Sequence, residues 1–170
     1  KATQLYGWYF RDFPKDKKVP QALYFLGYSN FEINKKKKGE GYFKELTKRF
    51  PRSVYVTESH FALAEFYFER DQFNSALKHY GQLTKRKSNR LYGFALYKSA
   101  WCYYRMSKYK TSVALLEKVI RTEGRGGDTV EGTKAVNKLR IREEAIKDYV
   151  GFYSQTGKFA SAQKDFYRVT

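Results

Sequence analysis

The chain repeats itself at a fixed spacing, and that spacing restricts its fold more than any other feature. Leu26, Gly27, Gly39, Phe43, Leu46 and Pro51 return thirty-seven positions later as Leu63, Ala64, Ala76, Tyr80, Leu83 and Ser88. Thirty-six positions beyond those, the same slots hold Ser99, Ala100, Ser112, Leu116, Val119 and Gly124, with Tyr103 where Tyr67 stood. Within each copy the apolar and small residues recur every three or four positions on either side of a short polar turn, at Asn34, at Asp71-Gln72 and at Ser107-Lys108. That pattern predicts two short amphipathic helices joined tightly. One such pair cannot shield its own apolar face, so successive pairs must stack, and the fold class follows as all-α.

Taken in order, Ala2, Tyr6, Tyr9 and Pro14 fill the second-helix slots thirty-seven positions upstream of Gly39, Phe43, Leu46 and Pro51. Residues 1–14 therefore read as the second helix of a truncated repeat, and the chain as part of a longer protein. Full repeats are expected over 21–51, 58–88 and 94–123. In the first of these, Pro20 suits a helix start, a helix runs over 21–33, Lys35 to Lys38 lie in the turn, Gly39 allows close helix approach, and Pro51 stops the second helix. Helices over 91–106 and 109–122 make the third repeat. Gly124, Gly126, Gly127 and Gly132 then break the period, which predicts an inserted loop over 124–137. Tyr149, Val150, Tyr153, Gly157, Ala162, Phe166 and Val169 restore it as a fourth repeat over 138–170.

The spacing resembles the tetratricopeptide repeat, whose signature runs Trp-x2-Leu-Gly-x2-Tyr, then Ala-x3-Phe, then Pro within about 34 residues. The chain departs from it in holding Leu23, His60 and Leu96 in the Trp slot, in placing Asn30 in the first Tyr slot beside Phe31, and in repeats longer by two or three residues. The resemblance implies a right-handed superhelical solenoid of antiparallel helix pairs whose first helices line a concave surface. Carried over residue by residue, the surface positions are Tyr24, Tyr28, Phe31 and Glu32 in the first full repeat, and Glu58, Phe61, Glu65, Phe68 and Glu69 in the second. The third supplies Phe94, Tyr97, Trp101, Tyr104 and Arg105, and the fourth Lys147, Gly151 and Ser154. Such a groove, aromatic with a stripe of glutamates, implies a protein or peptide ligand with an apolar anchor and a cation opposite Glu65 and Glu69.

A narrower resemblance rests on Phe50-Pro51-Arg52-Ser53 with the later run from Ala62 to Phe68, and on the run from Ala95 to Tyr104. These are similar to repeats in bacterial outer-membrane assembly lipoproteins and Tol-Pal-associated factors. They imply a periplasmic or outer-membrane-associated scaffold in envelope assembly, division or motility, with a cytoplasmic one as the alternative.

Thirty-four Lys and Arg against seventeen acidic residues leave +17, which draws the chain toward anionic surfaces without choosing among them. The cations cluster at 15–18, at Lys35, Lys36, Lys37 and Lys38, and at Lys85, Arg86 and Lys87, expected at the edges of the stack. The competing function is thus a polyanion-binding module for nucleic acid or an anionic membrane surface. Enzymatic motifs are absent: no GxSxG elbow, HExxH or phosphate-cradling glycine loop occurs. His60, in the Trp slot, reads as a packed histidine, His79 has no nucleophile in register, and Cys102 has no second cysteine to pair with. No cofactor or metal is expected, no apolar run reaches the length of a membrane span, and oligomeric state is not specified.

Overall fold

A computed structural model describes residues 2–124, 133–156 and 158–169. Among them the chain is helical without strands. In order come α1 (Ala2–Asp12), α2 (Val19–Glu32), α3 (Lys36–Arg49), α4 (Val56–Phe68), α5 (Phe73–Leu83), α6 (Tyr92–Arg105), α7 (Tyr109–Gly124), α8 (Thr133–Ser154) and, after a 3-10 turn at Phe159–Ser161, α9 (Ala162–Val169). Helices adjacent in sequence pack on one another, α1 on α2, α2 on α3, α3 on α4, α6 on α7 and α7 on α8. The chain divides into two compact units, one ending at Gln82 and one beginning at Leu83.

Three helix pairs, α2 with α3, α4 with α5 and α6 with α7, are closed by the same device. Asn34, Asp71 and Ser107 have φ of 57°, 56° and 58°, the left-handed conformation at the end of α2, α4 and α6. The following amide reaches back five residues, Lys35 to the Asn30 carbonyl at 2.7 Å, Gln72 to Tyr67 at 2.9 Å and Lys108 to Tyr103 at 2.8 Å. This is the Schellman closure, which satisfies a carbonyl the helix end leaves bare. Asn, Asp and Ser are short polar residues that suit a turn, and Asn and Asp tolerate φ above zero better than most.

The small-residue slots set how closely the paired helices approach. A Cβ added at Gly39 would press on the Phe31 ring and lie 2.7 Å from the Gly27 carbonyl oxygen, while one at Gly27 would meet the Phe43 ring at 2.7 Å. In the third repeat the same slot is Ser112, whose hydroxyl donates to the Ala100 carbonyl at 2.7 Å and so occupies the space usefully. Leu26, Leu46, Leu63, Leu83, Leu116 and Val119, all slots of the period, are fully buried.

Three boundaries differ from expectation. Lys36, Lys37 and Lys38 form the first turn of α3 rather than the preceding turn. Lysine is a good helix former, and Glu40 beside them offsets their unfavourable position at a helix N-terminus. α2 begins at Val19, with Pro20 in its first turn. Both ends of the loop predicted over 124–137 are helical, since α7 extends through Gly124 and α8 starts at Thr133. The segment after Gly132 is rich in Lys, Ala, Leu and Arg, strong helix formers that the glycine count concealed. The centre of that predicted loop lies outside the described residues, as does Gly157.

Candidate functional site

The expected ligand surface is carried by the first helices of the repeats, α2, α4, α6 and α8. In the second unit its aromatic residues are half-buried, while Arg105, Lys147, Gly151 and Ser154 are exposed. Tyr97 donates its hydroxyl to Asp148 at 2.7 Å, and the indole N–H of Trp101 donates to the same carboxylate oxygen at 2.9 Å. Burial, with the Asp148 hydrogen bond, pushes the Tyr97 phenol up to about 12. Phe152, one helical turn beyond Asp148 on α8, meets Trp101 edge-on at 4.9 Å and stacks flat on Tyr104 at 3.9 Å. Tyr97, Trp101 and Tyr104 thus join α6 to α8 and are half-buried by it. Arg105 is exposed, and Phe94 lies under the Lys98 ammonium at 5.8 Å. Lys147 pairs with Glu144 at 3.2 Å, and the Ser154 hydroxyl turns back to the Gly151 carbonyl.

In the first unit the surface is divided. Phe31 is wedged edge-on against Phe43 at 5.2 Å and lies tilted against Phe66 at 5.6 Å, so it belongs to the packing between α2, α3 and α4. Phe68 meets Phe73 at 5.8 Å, and Phe61 is half-buried. Glu65 accepts the hydroxyl of the buried Tyr80, and Glu69 pairs with Lys36. The glutamate pair expected to face a ligand cation therefore has partners within the protein. Tyr24 stacks on Tyr55 at 5.0 Å and supports Tyr28 at 6.5 Å. Tyr28 itself is 52% exposed, and Glu32, one turn further along α2, is exposed as well.

A buried polar cluster behind this face was missed by the sequence reading. Glu40 on α3 is 3% exposed and is held by Lys44 at 2.6 Å, by Lys37 at 2.9 Å and by the Tyr67 hydroxyl. Desolvation pushes its carboxyl up, but those three hydrogen bonds outweigh it and bring the pKa down to about 2. The signal was available: the slot holds Leu77 and Val113 in the next repeats, and Lys44 follows Glu40 by four residues. On the far side of Tyr67, His79 stacks on its ring at 5.6 Å and 9°. Its Nδ1 lies 3.0 Å from Nδ1 of His60. Burial first, and then the charges of His60, Lys78 and Lys44, hold His79 down at about 4 despite Glu40.

Of the expected basic patch, Lys36 and Lys37 are committed to Glu69 and Glu40, whereas Lys35, Lys38, Lys85, Arg86 and Lys87 are exposed. Cys102 is buried. Among the described residues no group of three or more His, Cys, Asp or Glu side chains is placed to hold a metal ion, and no helix is long and apolar enough to cross a membrane.

A consecutive helix-pair array with three equivalent left-handed turns defines a helical repeat protein. Residues 21–53 and 94–122 match the family described as tetratricopeptide repeat, and residues 59–88 match the one described as YpiA-like, tetratricopeptide repeats. Together these segments take in more than half of the chain, which is a tetratricopeptide repeat protein. No curated protein matches it. Repeats of this kind generally mediate protein–protein interactions.

Proposed function

We propose that the chain is a non-enzymatic scaffold that holds a peptide of a protein partner against the open face of α2, with Tyr28 as the aromatic anchor and Glu32 as the group that meets a ligand cation. The observation that carries this is Tyr28: a large aromatic side chain half in water, stacked on Tyr24, in a slot whose counterparts Glu65 and Trp101 are half-buried and hydrogen-bonded within the protein. An exposed tyrosine braced by a second ring offers wide contact area with little side-chain entropy left to lose. Phe61, Glu58 and the outer edge of Tyr24 extend the surface. Trp101 and Tyr104 shape the second unit and are not anchors in this reading.

The likeness of residues 50–53 and 62–68 to envelope repeats supports a setting in bacterial envelope assembly, division or motility, periplasmic or at the outer membrane. Fractionation of cells that express the complete gene product checks the compartment.

Capture of the partner from cell extract, with wild-type protein and Tyr28→Ala compared by mass spectrometry, tests the site. Tyr28→Ala should lose the partner while helical content and denaturation midpoint stay near wild type. Glu32→Lys should weaken capture in the same way. Undiminished capture by Tyr28→Ala removes α2 from the binding surface.

A further inference from the structure

A second site lies at the edge of the first unit, where the connector between α1 and α2 meets the connector between α3 and α4. A cavity of about 650 Å3 opens there, within the range of roughly 300–1,000 Å3 usual for ligand pockets. Lys17, Lys18, Arg49 and Arg52 contribute to its lining together with Phe50 and Val54, and no carboxylate does. The neighbouring acids are already engaged. Asp16 accepts the Lys18 backbone amide at 2.7 Å and the Tyr9 hydroxyl, and Glu45 holds Arg49 at 2.8 Å.

Arg49 has the character of a fixed wall. Its guanidinium lies over Phe10 and Phe50 at 5.4 and 5.2 Å and donates to the Pro14 carbonyl at 3.2 Å, which ties α3 to the connector after α1. Lys17, Lys18 and Arg52 remain as exposed cations around the opening. Val54 is 81% exposed, an unusual position for a branched apolar side chain beside three cations.

The mixture of charge and apolar surface indicates the ligand. A nucleic acid calls for open aromatic faces on which bases stack. Here Arg49 lies over the Phe50 ring and Tyr24 stacks on the Tyr55 ring, so each aromatic of the lining already has one face engaged within the protein. Carboxylates beside an apolar side chain match the cations and the exposed valine together. We propose that this cavity binds an acidic peptide segment, its carboxylates on Lys17, Lys18 and Arg52 and an apolar side chain against Val54 and Phe50. Neither Tyr28 nor Glu32 lines the cavity, and the proposal does not rest on the reading placed on Tyr28.

Fluorescence anisotropy with a labelled Asp-Asp-Leu-Glu-Glu peptide at near-physiological salt tests it on the intact chain. Arg52→Glu should weaken the peptide about tenfold or more, and Lys17→Glu should do the same as a second, independently folded variant. Replacing the leucine of the peptide by serine should cost several-fold, and Val54→Asp should cost at least as much. Tyr28→Ala should leave this affinity unchanged, which keeps the two sites apart. The proposal is overturned if the peptide fails to bind, if both charge reversals bind it as wild type does, or if a single-stranded oligonucleotide or an anionic vesicle binds at the same residues more tightly than the peptide.

Discussion

Equivalent slots of the two units hold different residues, and the difference decides which surface stays open. Phe31 against Phe66 in the first unit corresponds to Tyr104 against Phe152 in the second, so both use an aromatic pair between successive first helices. The slot one turn earlier on the second helix of contact holds Ala62 in one unit and Asp148 in the other. Asp148 accepts from Tyr97 and Trp101 and draws both rings against α8. Ala62 has no acceptor to offer, and Tyr28, in the slot of Trp101, stays half in water. The first unit puts its polar tie elsewhere, in Glu40 with Tyr67 and Lys44 between α3 and α4. One repeat geometry thus accommodates a polar tie between first helices or one between a second helix and the next first helix, and only the latter leaves an aromatic exposed.

The largest test of this comparison removes the shared aromatic pair. Phe66 and Phe152 are 2% and 4% exposed, and truncation of each to alanine should cost about 3–5 kcal/mol in urea denaturation. Phe152→Ala also unseats Trp101, so its tryptophan fluorescence should shift to the red, whereas Phe66→Ala should leave that emission near wild type. A cost below about 1 kcal/mol at either position would mean that the pair does not hold its repeats together.

Acid should separate the units next. Both histidines of the chain, His60 and His79, lie in the first. His79 has a folded pKa near 4 against an ordinary 6.5, so the unfolded chain binds the proton that the folded one refuses. Stability is then present above pH 6.5 and is lost as pH falls toward 4, by roughly 3 kcal/mol. Glu40, at about 2 in the fold against 4.5, adds a further loss below pH 4.5 with the same sign. Hydrogen exchange between pH 7 and 4.5 should therefore show α3 to α5 opening earlier than α6 to α8. Equal opening, or a denaturation midpoint flat over that range, contradicts the packing assigned to His79.

A smaller effect isolates helix approach. Gly39→Ala gains about 1 kcal/mol of helix propensity but forces a methyl group against Phe31 and the Gly27 carbonyl, an overpacking cost of about 1–3 kcal/mol. The net should be a loss of about 1 kcal/mol by chemical denaturation. Ala76→Gly in the next repeat loses propensity with no relief of crowding, and should cost a similar amount for the opposite reason.

The helix pairs, their turns and the buried slots were legible in the sequence because they depend on local spacing and on residue size at Gly39, Ala76 and Ser112. The surface was harder to read. A slot on a first helix shows which side of that helix a residue takes, and gives no indication of what the next repeat sets opposite it; Trp101 and Tyr28 occupy one slot and meet Asp148 and open water. Charge misled for a related reason. Lys36 and Lys37 read as a solvated turn, yet Lys37 pairs with Glu40 three residues on and Lys36 with Glu69 thirty-three residues on, and only the second distance requires the fold. Glu40 was overlooked although the sequence marked it, as an acid in a slot that holds Leu77 and Val113 in the next repeats with Lys44 one helical turn on.

Lys36 and Glu69 carry the smallest predicted effect, and it bears on how the open face is bounded. Their side chains are 33% and 55% exposed, so water screens the pair and holding two long chains together costs entropy. Glu69→Gln should shift stability by less than about 0.5 kcal/mol, and that shift should fade further in 0.5 M salt. Glu40→Gln in the same background should cost clearly more, because Lys44, Lys37 and the Tyr67 hydroxyl all converge on a carboxylate with little water around it. Comparable losses from the two substitutions would show that the tie between α3 and α4 runs through the exposed pair, and the contrast drawn between the units would then rest on the wrong acid.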